Sequence, residues 1–337
     1  MNNSTLQPGR RAVARTVLTA LSSAILVAIG VDALAQTTTY PDRPIKWVVP
    51  VPAGGGMDAV TRIVSAGMAT VLNQPMVVDN RAGAAGTIGT GYVVQSAPDG
   101  YTVLTIDNSL FTTAHLVFSK LPYAAPKDLK LVATLVRIPL VLAVPGVSPN
   151  KNFQEFIQSS KENPGKISYG SPGVGSPLHV GMELLQSRTG TKMQHVPYRG
   201  MSTILTDLST GTIGAALVDF GSARSFAASG RIKILAVATE KRMSHLPSVP
   251  TLEELEVKNV PISLWFALAV PINTPEGAVT RLAQAAQVSL ESPEAKSKLE
   301  TIGAQAFLKI GPEAATFSRE QVTFWEAIVK PMAIKLD

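Results

Sequence analysis

Three consecutive glycines, Gly54, Gly55 and Gly56, stand where a strand meets a helix and constrain the fold more than any other feature. The preceding residues Ile45–Val49 are apolar and β-branched, which predicts a buried strand. Beyond the glycines, apolar residues recur at helical spacing. The glycines leave backbone N–H groups uncovered beside the positive end of the helix, and such a turn attracts anions. From this stretch alone, a plain strand-to-helix turn is an equal alternative.

The composition is that of a globular protein. The 337 residues are 45% hydrophobic and 16% charged, which suffices for one large or two ordinary domains. The formal net charge is +6, but Lys and Arg are scattered without interleaved aromatics, so we expect no nucleic-acid partner. The absence of cysteine excludes disulfides, thiolate metal sites and a cysteine nucleophile.

Residues 1–35 have the pattern of a secretory signal peptide. Three arginines precede an apolar stretch, and Ala33 and Ala35 supply the small residues that define a cleavage site. A membrane anchor is the weaker alternative, because the apolar stretch is short for a bilayer span and is broken by serines. We expect cleavage after Ala35 and a protein located outside the cytoplasmic membrane.

A second glycine-rich loop, residues 170–175, also leads from a strand into a helix. Ser176 and Pro177 form a helix start, with serine as N-cap and proline at the first helical position. Strands alternate with helices along the chain, which predicts parallel α/β sheets with ligands at the carboxyl ends of the strands. The sequence therefore predicts two anion-attracting loops.

The predicted architecture is two α/β lobes, the second inserted into the first. Two similar apolar strands, near residues 141–144 and 265–270, are interpreted as the crossings between lobes. Lobe I then comprises residues 36–139 and 264–337, and lobe II comprises residues 140–263. A cleft between such lobes is a favoured small-molecule site, and closure around the ligand is the expected motion.

Catalytic signatures are poor. The sequence has no nucleophile elbow, P-loop or complete dinucleotide-binding fingerprint. The four histidines show no metal-ligand spacing, and no acid is placed to orient a Ser176–His179 pair. We expect no enzymatic activity, no cofactor and no metal, although an esterase-like enzyme remains a third hypothesis.

Several side chains near the loops carry alternatives. Asp58 is interpreted as a helix N-cap, or as the holder of a water molecule that bridges to the ligand. His179 is either a donor in the cleft or a packing residue. Tyr198 and Arg199 are within reach of the cleft, although Arg199 is equally a solvated turn residue. The hydroxyls of Ser171 and Ser176 would add directional hydrogen bonds, and Met57 and Phe220 would shape the pocket.

Seven segments in order along the chain resemble the Bug family, the extracytoplasmic, TctC-like solute receptors of tripartite tricarboxylate transporters. They are YPDRPI (40–45), VPVPAGGGMD (49–58), NRAG (80–83), PDGY (98–101), NPGK (163–166), HVPYRG (195–200) and LPSVPT (246–251). The resemblance covers essentially the whole chain after residue 35.

The resemblance implies a periplasmic, non-catalytic protein with the two-lobe fold of type II periplasmic binding proteins. It also implies a monomer without cofactor that binds a small carboxylate, either a di- or tricarboxylate or an aromatic one, and partners with permease subunits. The ligand-binding residues expected on this basis, and on the loop chemistry, are Pro52, Gly54, Gly55, Gly56, Met57, Asp58, Asp107, Asn108, Ser171, Gly173, Gly175, Ser176, His179, Tyr198, Asp219 and Phe220.

Two departures from the family pattern bear on the ligand. Ala53 stands where a second proline is common, and Met57 stands where a small hydroxyl residue is common. Met57 makes the pocket mouth more apolar, which favours an aromatic or longer dicarboxylate over a small amino acid. A solute sensor that docks on a receptor kinase needs the same cleft and is the alternative to a transport receptor.

Overall fold

The computed structural model describes residues 40–258 and 264–332. The predicted signal peptide and residues 259–263 of the predicted lobe II lie outside the described residues. From Arg43 onward the described residues belong to one compact unit.

Eleven strands form two sheets within the described residues. The strands are β1 (Ile45–Val49), β2 (Met76–Asn80), β3 (Thr102–Asp107), β4 (Leu129–Ile138), β5 (Leu140–Pro145), β6 (Ser168–Ser171), β7 (Gln194–Pro197), β8 (Ala215–Asp219), β9 (Ile232–Val237), β10 (Leu264–Pro271) and β11 (Gln305–Ala306). The six-stranded sheet has the order β11-β4-β10-β3-β1-β2, and the five-stranded sheet has the order β7-β6-β8-β5-β9.

Helices connect and cover these strands, so the fold is a mixed α/β fold with two lobes. The α-helices are Gly56–Leu72, Thr87–Val94, Asn108–Thr112, Ala114–Val117, Ala125–Asp128, Phe153–Glu162, Pro177–Thr189, Met201–Thr210, Phe220–Ala228, Glu276–Glu291, Pro293–Thr301 and Gly311–Met332. A short 3₁₀ turn, Ala84–Gly86, precedes the second of them.

The predicted parallel pairing is present in both sheets, but each sheet also contains antiparallel pairs and is therefore mixed. Strand β1 pairs in parallel with β2 and β3, and β6 pairs in parallel with β7 and β8. Strand β10, however, lies antiparallel between β3 and β4, and β5 lies antiparallel between β8 and β9. The chain enters the five-stranded sheet directly from β4, with only Pro139 and no helical crossover between β4 and β5.

Pro139 marks the passage from one sheet to the other. Ile138, the last residue of β4, pairs with Leu264, whereas Leu140, the first residue of β5, pairs with Asp219. Proline has no N–H for a strand ladder, so the pairing is interrupted at this point. The carbonyl of Pro139 accepts a hydrogen bond from the Phe220 N–H at 3.0 Å.

The cores of the two sheets hold the strand ends that carry the loops. Trp47 of β1 is fully buried, and its Nε1 donates to Thr105 Oγ1 of β3 at 2.8 Å. Thr61, on the helix after the triple glycine, lies 2.7 Å from the same Thr105 oxygen. In the five-stranded sheet, the buried Tyr169 of β6 packs in a cluster with Phe153 and Phe156. Both glycine loops therefore start from rigid, buried strands.

A close backbone contact joins the two lobes away from these loops. A Cβ atom on Gly221 would lie 2.5 Å from the Ile302 carbonyl oxygen and 3.3 Å from Gly303 Cα. Gly221 belongs to the helix that follows β8, and Gly303 follows the helix Pro293–Thr301. Only a residue without a side chain allows these two segments to approach so closely.

Candidate functional site

The two glycine-rich loops line one cavity of about 500 Å³. This volume falls in the range of about 300–1,000 Å³ that is typical of small-molecule sites. Most of the lining residues follow the carboxyl ends of β1, β2 and β3 in one sheet and of β6 and β7 in the other, and two more belong to β10. Predicted binding residues that line the cavity are Gly55, Gly56, Met57, Asp107, Gly173, Gly175 and Ser176, and Arg199 lines it as well.

The first loop presents a helix amino end without a side-chain cap. The helix begins at Gly56, its N-cap is Gly55, and no side chain accepts a hydrogen bond there. The interpretation of Asp58 as N-cap is therefore wrong, because Asp58 stands in the first helical turn. The amide groups of the first turn remain available to a ligand, with the partial positive charge of the helix end behind them.

Asp58 instead holds the loop from behind. Its carboxylate accepts hydrogen bonds from Gly54 N–H at 2.9 Å, Arg62 Nε at 2.9 Å and Asn80 Nδ2 at 3.0 Å. Burial disfavours its charged form, but the hydrogen bonds from Arg62, Gly54 and Asn80 outweigh burial and lower the pKa of Asp58. Asp58 thus stays ionised while its charge is neutralised locally. It is absent from the residues that line the cavity.

The second loop presents a helix amino end as the sequence predicts. Ser176 caps the helix Pro177–Thr189, and its Oγ accepts from His179 N–H at 3.2 Å. Gly173 and Gly175 have φ values of +130° and +78°, which L side chains rarely adopt. The loop is therefore shaped by glycine backbone conformations that a side chain would strain.

Two histidine rings, tilted by 31° relative to each other, support this second loop. The rings of His179 and His195 lie 4.1 Å apart, and Gly175 N–H donates to His179 Nδ1 at 3.1 Å. Ser171 Oγ lies 2.7 Å from His195 Nε2 and 3.0 Å from the Gly173 carbonyl oxygen. Burial, reinforced by the neighbouring His195, lowers the pKa of His179 to about 4, and burial also lowers the pKa of His195. Both rings are neutral at pH 7.

Asp107 lines the cavity but its carboxylate is already engaged. It caps the short helix Asn108–Thr112 and accepts from Leu110 N–H at 2.8 Å and Ser109 Oγ at 2.9 Å. Burial raises the pKa of Asp107 against these hydrogen bonds. Its neighbour Asn108 is buried and lies outside the residues that line the cavity.

The structure places the other predicted site residues behind the cavity or away from it. Pro52, Gly54, Asp58, Asn108, Ser171, His179, Tyr198, Asp219 and Phe220 do not line it. The hydroxyl of Tyr198 donates to Asp207 Oδ2 at 2.7 Å. Asp219 caps the helix Phe220–Ala228 through Ser222 N–H, and Phe220 lines a separate cavity of about 210 Å³.

An apolar wall that the sequence reasoning missed completes the cavity. Leu264 and Phe266 of β10 line it, while Trp265 between them packs on Phe111 in the core. The other apolar side chains of the wall are Leu110, Val117, Phe118, Leu178 and Met201. The two-residue alternation of β10 is the signal that separates the cavity face from the core face.

Two further searches cover only the described part of the chain. Within residues 40–258 and 264–332, no group of three or more His, Cys, Asp or Glu is placed to hold a metal ion. Over the same residues, none of the helices is both long enough and apolar enough to cross a membrane.

Known structures share this fold. The periplasmic binding protein BugD superposes with a TM-score of 0.76 at 29% identity, over 88% of this chain and 100% of BugD. MatC from Rhodopseudomonas palustris with bound malate superposes with a TM-score of 0.74 at 28% identity, over 86% of this chain and 100% of MatC. Rpa4515 of R. palustris with adipate superposes with a TM-score of 0.77 at 29% identity, over 88% of this chain and 100% of Rpa4515. The expected two-lobe fold of periplasmic binding proteins is confirmed.

Sequence comparisons identify the family. BugT of Bordetella pertussis is 30% identical over 322 residues, which cover 95% of this chain and 99% of BugT. The family model described as "Tripartite tricarboxylate transporter family receptor" matches residues 60–334. That family consists of substrate-binding receptors and is not a class of enzymes. The chain therefore belongs to the TctC family of tripartite tricarboxylate transporter receptors.

Proposed function

We propose that this protein captures a small carboxylate in the cavity between its lobes and delivers it to the permease subunits of a tripartite tricarboxylate-type transporter. The ligand is a di- or tricarboxylate or an aromatic carboxylate, and the protein acts as a monomer in the periplasm after cleavage of residues 1–35. The observation that carries this proposal is that two helix amino ends, one from each sheet, line the same cavity.

Electrostatics support an anionic ligand. Each helix end contributes about 0.3–1 kcal/mol toward a negative charge in water, and more in a dry site. Uncapped amides of Gly55, Gly56 and Met57 add charge-assisted hydrogen bonds, which are roughly twice as strong as neutral ones. The two relatives that were solved with malate and adipate bind carboxylates in the same fold. The cavity thus supplies the groups that retain a carboxylate without reacting with it.

We assign the lobes and the site residues on the same grounds. Lobe I comprises 36–139 and 264–337 and lobe II comprises 140–263, since every strand of the five-stranded sheet lies within 140–237. The direct binding residues are Gly55, Gly56, Met57, Gly173, Gly175 and Ser176. Asp58, Ser171 and His179 contribute by holding the loops. Closure of the lobes encloses the ligand, and opening releases it.

A carboxylate panel tests the proposal. Isothermal titration calorimetry and thermal unfolding of the chain from residue 36 onward, with di-, tri- and aromatic carboxylates, should reveal at least one ligand that raises the melting temperature. The same ligands should be recovered unchanged by mass spectrometry. Failure of every carboxylate to bind, or consumption of a bound ligand, would overturn the receptor assignment.

A further inference from the structure

The cavity lining includes one basic and one acidic side chain, which differ in their hydrogen-bond partners. Arg199 is the only Lys or Arg among the described lining residues, and Asp107 is the only Asp or Glu among them. The carboxylate of Asp107 is held by its own helix cap, as described above. For Arg199, by contrast, the described residues provide neither a hydrogen bond nor an ion pair. Arg199 is thus the one charged side chain of this lining that has no hydrogen-bond partner among the described residues.

Arg199 belongs to neither glycine loop, although the strand before it, β7, pairs in parallel with β6 and Tyr198 N–H donates to the Ser171 carbonyl oxygen at 2.8 Å. It follows β7 and immediately precedes Gly200, the N-cap of the helix Met201–Thr210. The two glycine loops follow β1 and β6 instead. The cavity therefore offers two kinds of anion-binding group, backbone amides at the glycine loops and a guanidinium at a different strand end.

Much of the remaining lining is apolar. Leu264, Phe266, Val117, Phe118 and Met201 contribute hydrocarbon or thioether surface to the cavity. A hydroxyl buried against such a wall without a partner costs about 1–3 kcal/mol. Burial of a hydrocarbon chain or ring against this wall instead stabilises the complex, by about 25 cal/mol for each Å² of apolar surface removed from water.

From this arrangement we infer that the ligand is a dicarboxylate whose two carboxylates are separated by an unsubstituted hydrocarbon spacer, with Arg199 reading the second carboxylate. The first carboxylate is held by the amides of the two glycine loops. The spacer, either a chain or an aromatic ring, lies on the apolar wall. The inference rests on the proposed carboxylate-binding function and selects within it against hydroxylated acids such as malate and citrate.

Paired ligands test the role of Arg199. Adipate and hexanoate share a six-carbon chain, and terephthalate and benzoate share a ring, so each pair differs by one carboxylate. In titration calorimetry, Arg199→Gln should reduce the affinity for the dicarboxylates by about tenfold or more, as expected for loss of a charge-assisted pair. The affinity for the monocarboxylates should change by less than about twofold. Arg199→Lys should restore part of the difference, because it keeps the charge without the planar fork.

Two further comparisons make the outcome decisive. Arg188→Gln, at an exposed arginine that does not line the cavity, should leave all affinities unchanged. Met201→Ser should narrow the preference for adipate over malate. Equal losses for both members of a pair, or none, would overturn the role of Arg199. Tighter binding of malate or citrate than of adipate would overturn the apolar spacer and leave the receptor function intact, whereas no binding of any carboxylate would remove the proposed function itself.

Discussion

Single residues decide whether each glycine loop keeps its amide groups in place. Asp58 does so as an anion that accepts three hydrogen bonds from the first loop and its surroundings. His179 does so as a neutral ring that accepts the Gly175 N–H. One residue therefore needs its charge and the other needs to remain uncharged, so the two loops respond differently to substitution and to pH.

Removal of Asp58 should loosen the first loop. Asp58→Ala leaves Gly54 N–H, Arg62 and Asn80 without their common acceptor, and we expect a loss of about 1–3 kcal/mol in the free energy of unfolding. Carboxylate affinity should fall with it, because the amides of Gly55 and Gly56 lose their fixed position. Urea unfolding and calorimetry measure the two effects.

The matched control for this substitution is Asp79→Ala. Asp79 pairs with Arg81 at a partly exposed position of β2, so its removal should cost less than about 1 kcal/mol. A gain in carboxylate affinity on Asp58→Ala would show that the negative charge repels the ligand more than the hydrogen bonds help it.

Stability should fall as the pH drops from about 6.5 toward 4. The pKa of His179 is lowered to about 4, first by burial and then by His195, while an unfolded histidine titrates near 6.5. Between these values the unfolded chain binds more protons than the folded one, so folding stability is complete above 6.5 and is lost on acidification. The melting temperature should be several degrees lower at pH 5 than at pH 7.

Variants assign this pH dependence to the histidine pair. The double variant His179→Gln, His195→Gln should flatten the fall in melting temperature between pH 7 and 5, because neither position then takes up a proton. His245→Gln, at a histidine outside this pair and away from the glycine loops, should leave the slope unchanged. An unaltered slope in the double variant would mean that other groups control the acid sensitivity.

At the scale of elements, two helices begin with the same serine–proline pair but in different surroundings. Ser176 caps the helix Pro177–Thr189 at the cavity, and Ser292 caps the helix Pro293–Thr301 elsewhere. Each serine oxygen accepts a hydrogen bond from the backbone N–H three residues later. Ser292 is therefore an internal control for Ser176, because it caps a helix without lining the cavity.

Ser176→Ala and Ser292→Ala should each reduce the free energy of unfolding by about 1 kcal/mol, the usual cost of a lost serine cap. Only Ser176→Ala should also weaken carboxylate binding, because its helix end lines the cavity. Denaturant unfolding and calorimetry on both variants separate the two effects. Equal affinities in the two variants would argue against a ligand at this helix end.

Elements with local signals were predictable from the sequence. Strand β1 and the helix start at Ser176–Pro177 match the prediction, because capping residues and apolar runs act over a few positions. Strand β4 was missed, since Lys130, Thr134 and Arg137 interrupt its apolar pattern. Its pairing with β10, 130 or so residues later, is a tertiary contact without a local signature.

The candidate site divides in the same way. The glycine loops were predictable because a run of glycines between an apolar strand and a helical pattern is visible in the sequence itself. The apolar wall was not, because Val117, Phe118 and Leu264 come together only through the fold. Asp58 was assigned to the wrong helix position because the helix starts two residues earlier, at Gly56, where the triple glycine hides the boundary.

At the scale of the whole molecule, the lobes touch through glycine backbones at Gly221 and Gly303. Gly221→Ala places a methyl group 2.5 Å from the Ile302 carbonyl oxygen, so the two segments must separate. We expect a loss of about 1–3 kcal/mol in unfolding free energy, as for other overpacked sites, and a changed radius of gyration in small-angle scattering.

The control for this substitution is Gly277→Ala. A Cβ atom at Gly277, in the first turn of the helix Glu276–Glu291, meets nothing within 4 Å. Alanine there should be neutral or slightly stabilising, because it is the better helix former. If Gly221→Ala behaves like Gly277→Ala in unfolding and in scattering, the glycine contact does not set the angle between the lobes.

The position of β10 has a consequence for the order in which the chain assembles. The five-stranded sheet is drawn from one contiguous segment, residues 140–237, whereas the six-stranded sheet needs β10 and β11 from near the carboxyl terminus to complete it. Strand β10 lies in the middle of that sheet, so β1, β2 and β3 cannot join β4 until it arrives. Strands β1, β2 and β3, which are translated first, must therefore wait for β10, whereas all strands of the five-stranded sheet are present once residue 237 has been translated.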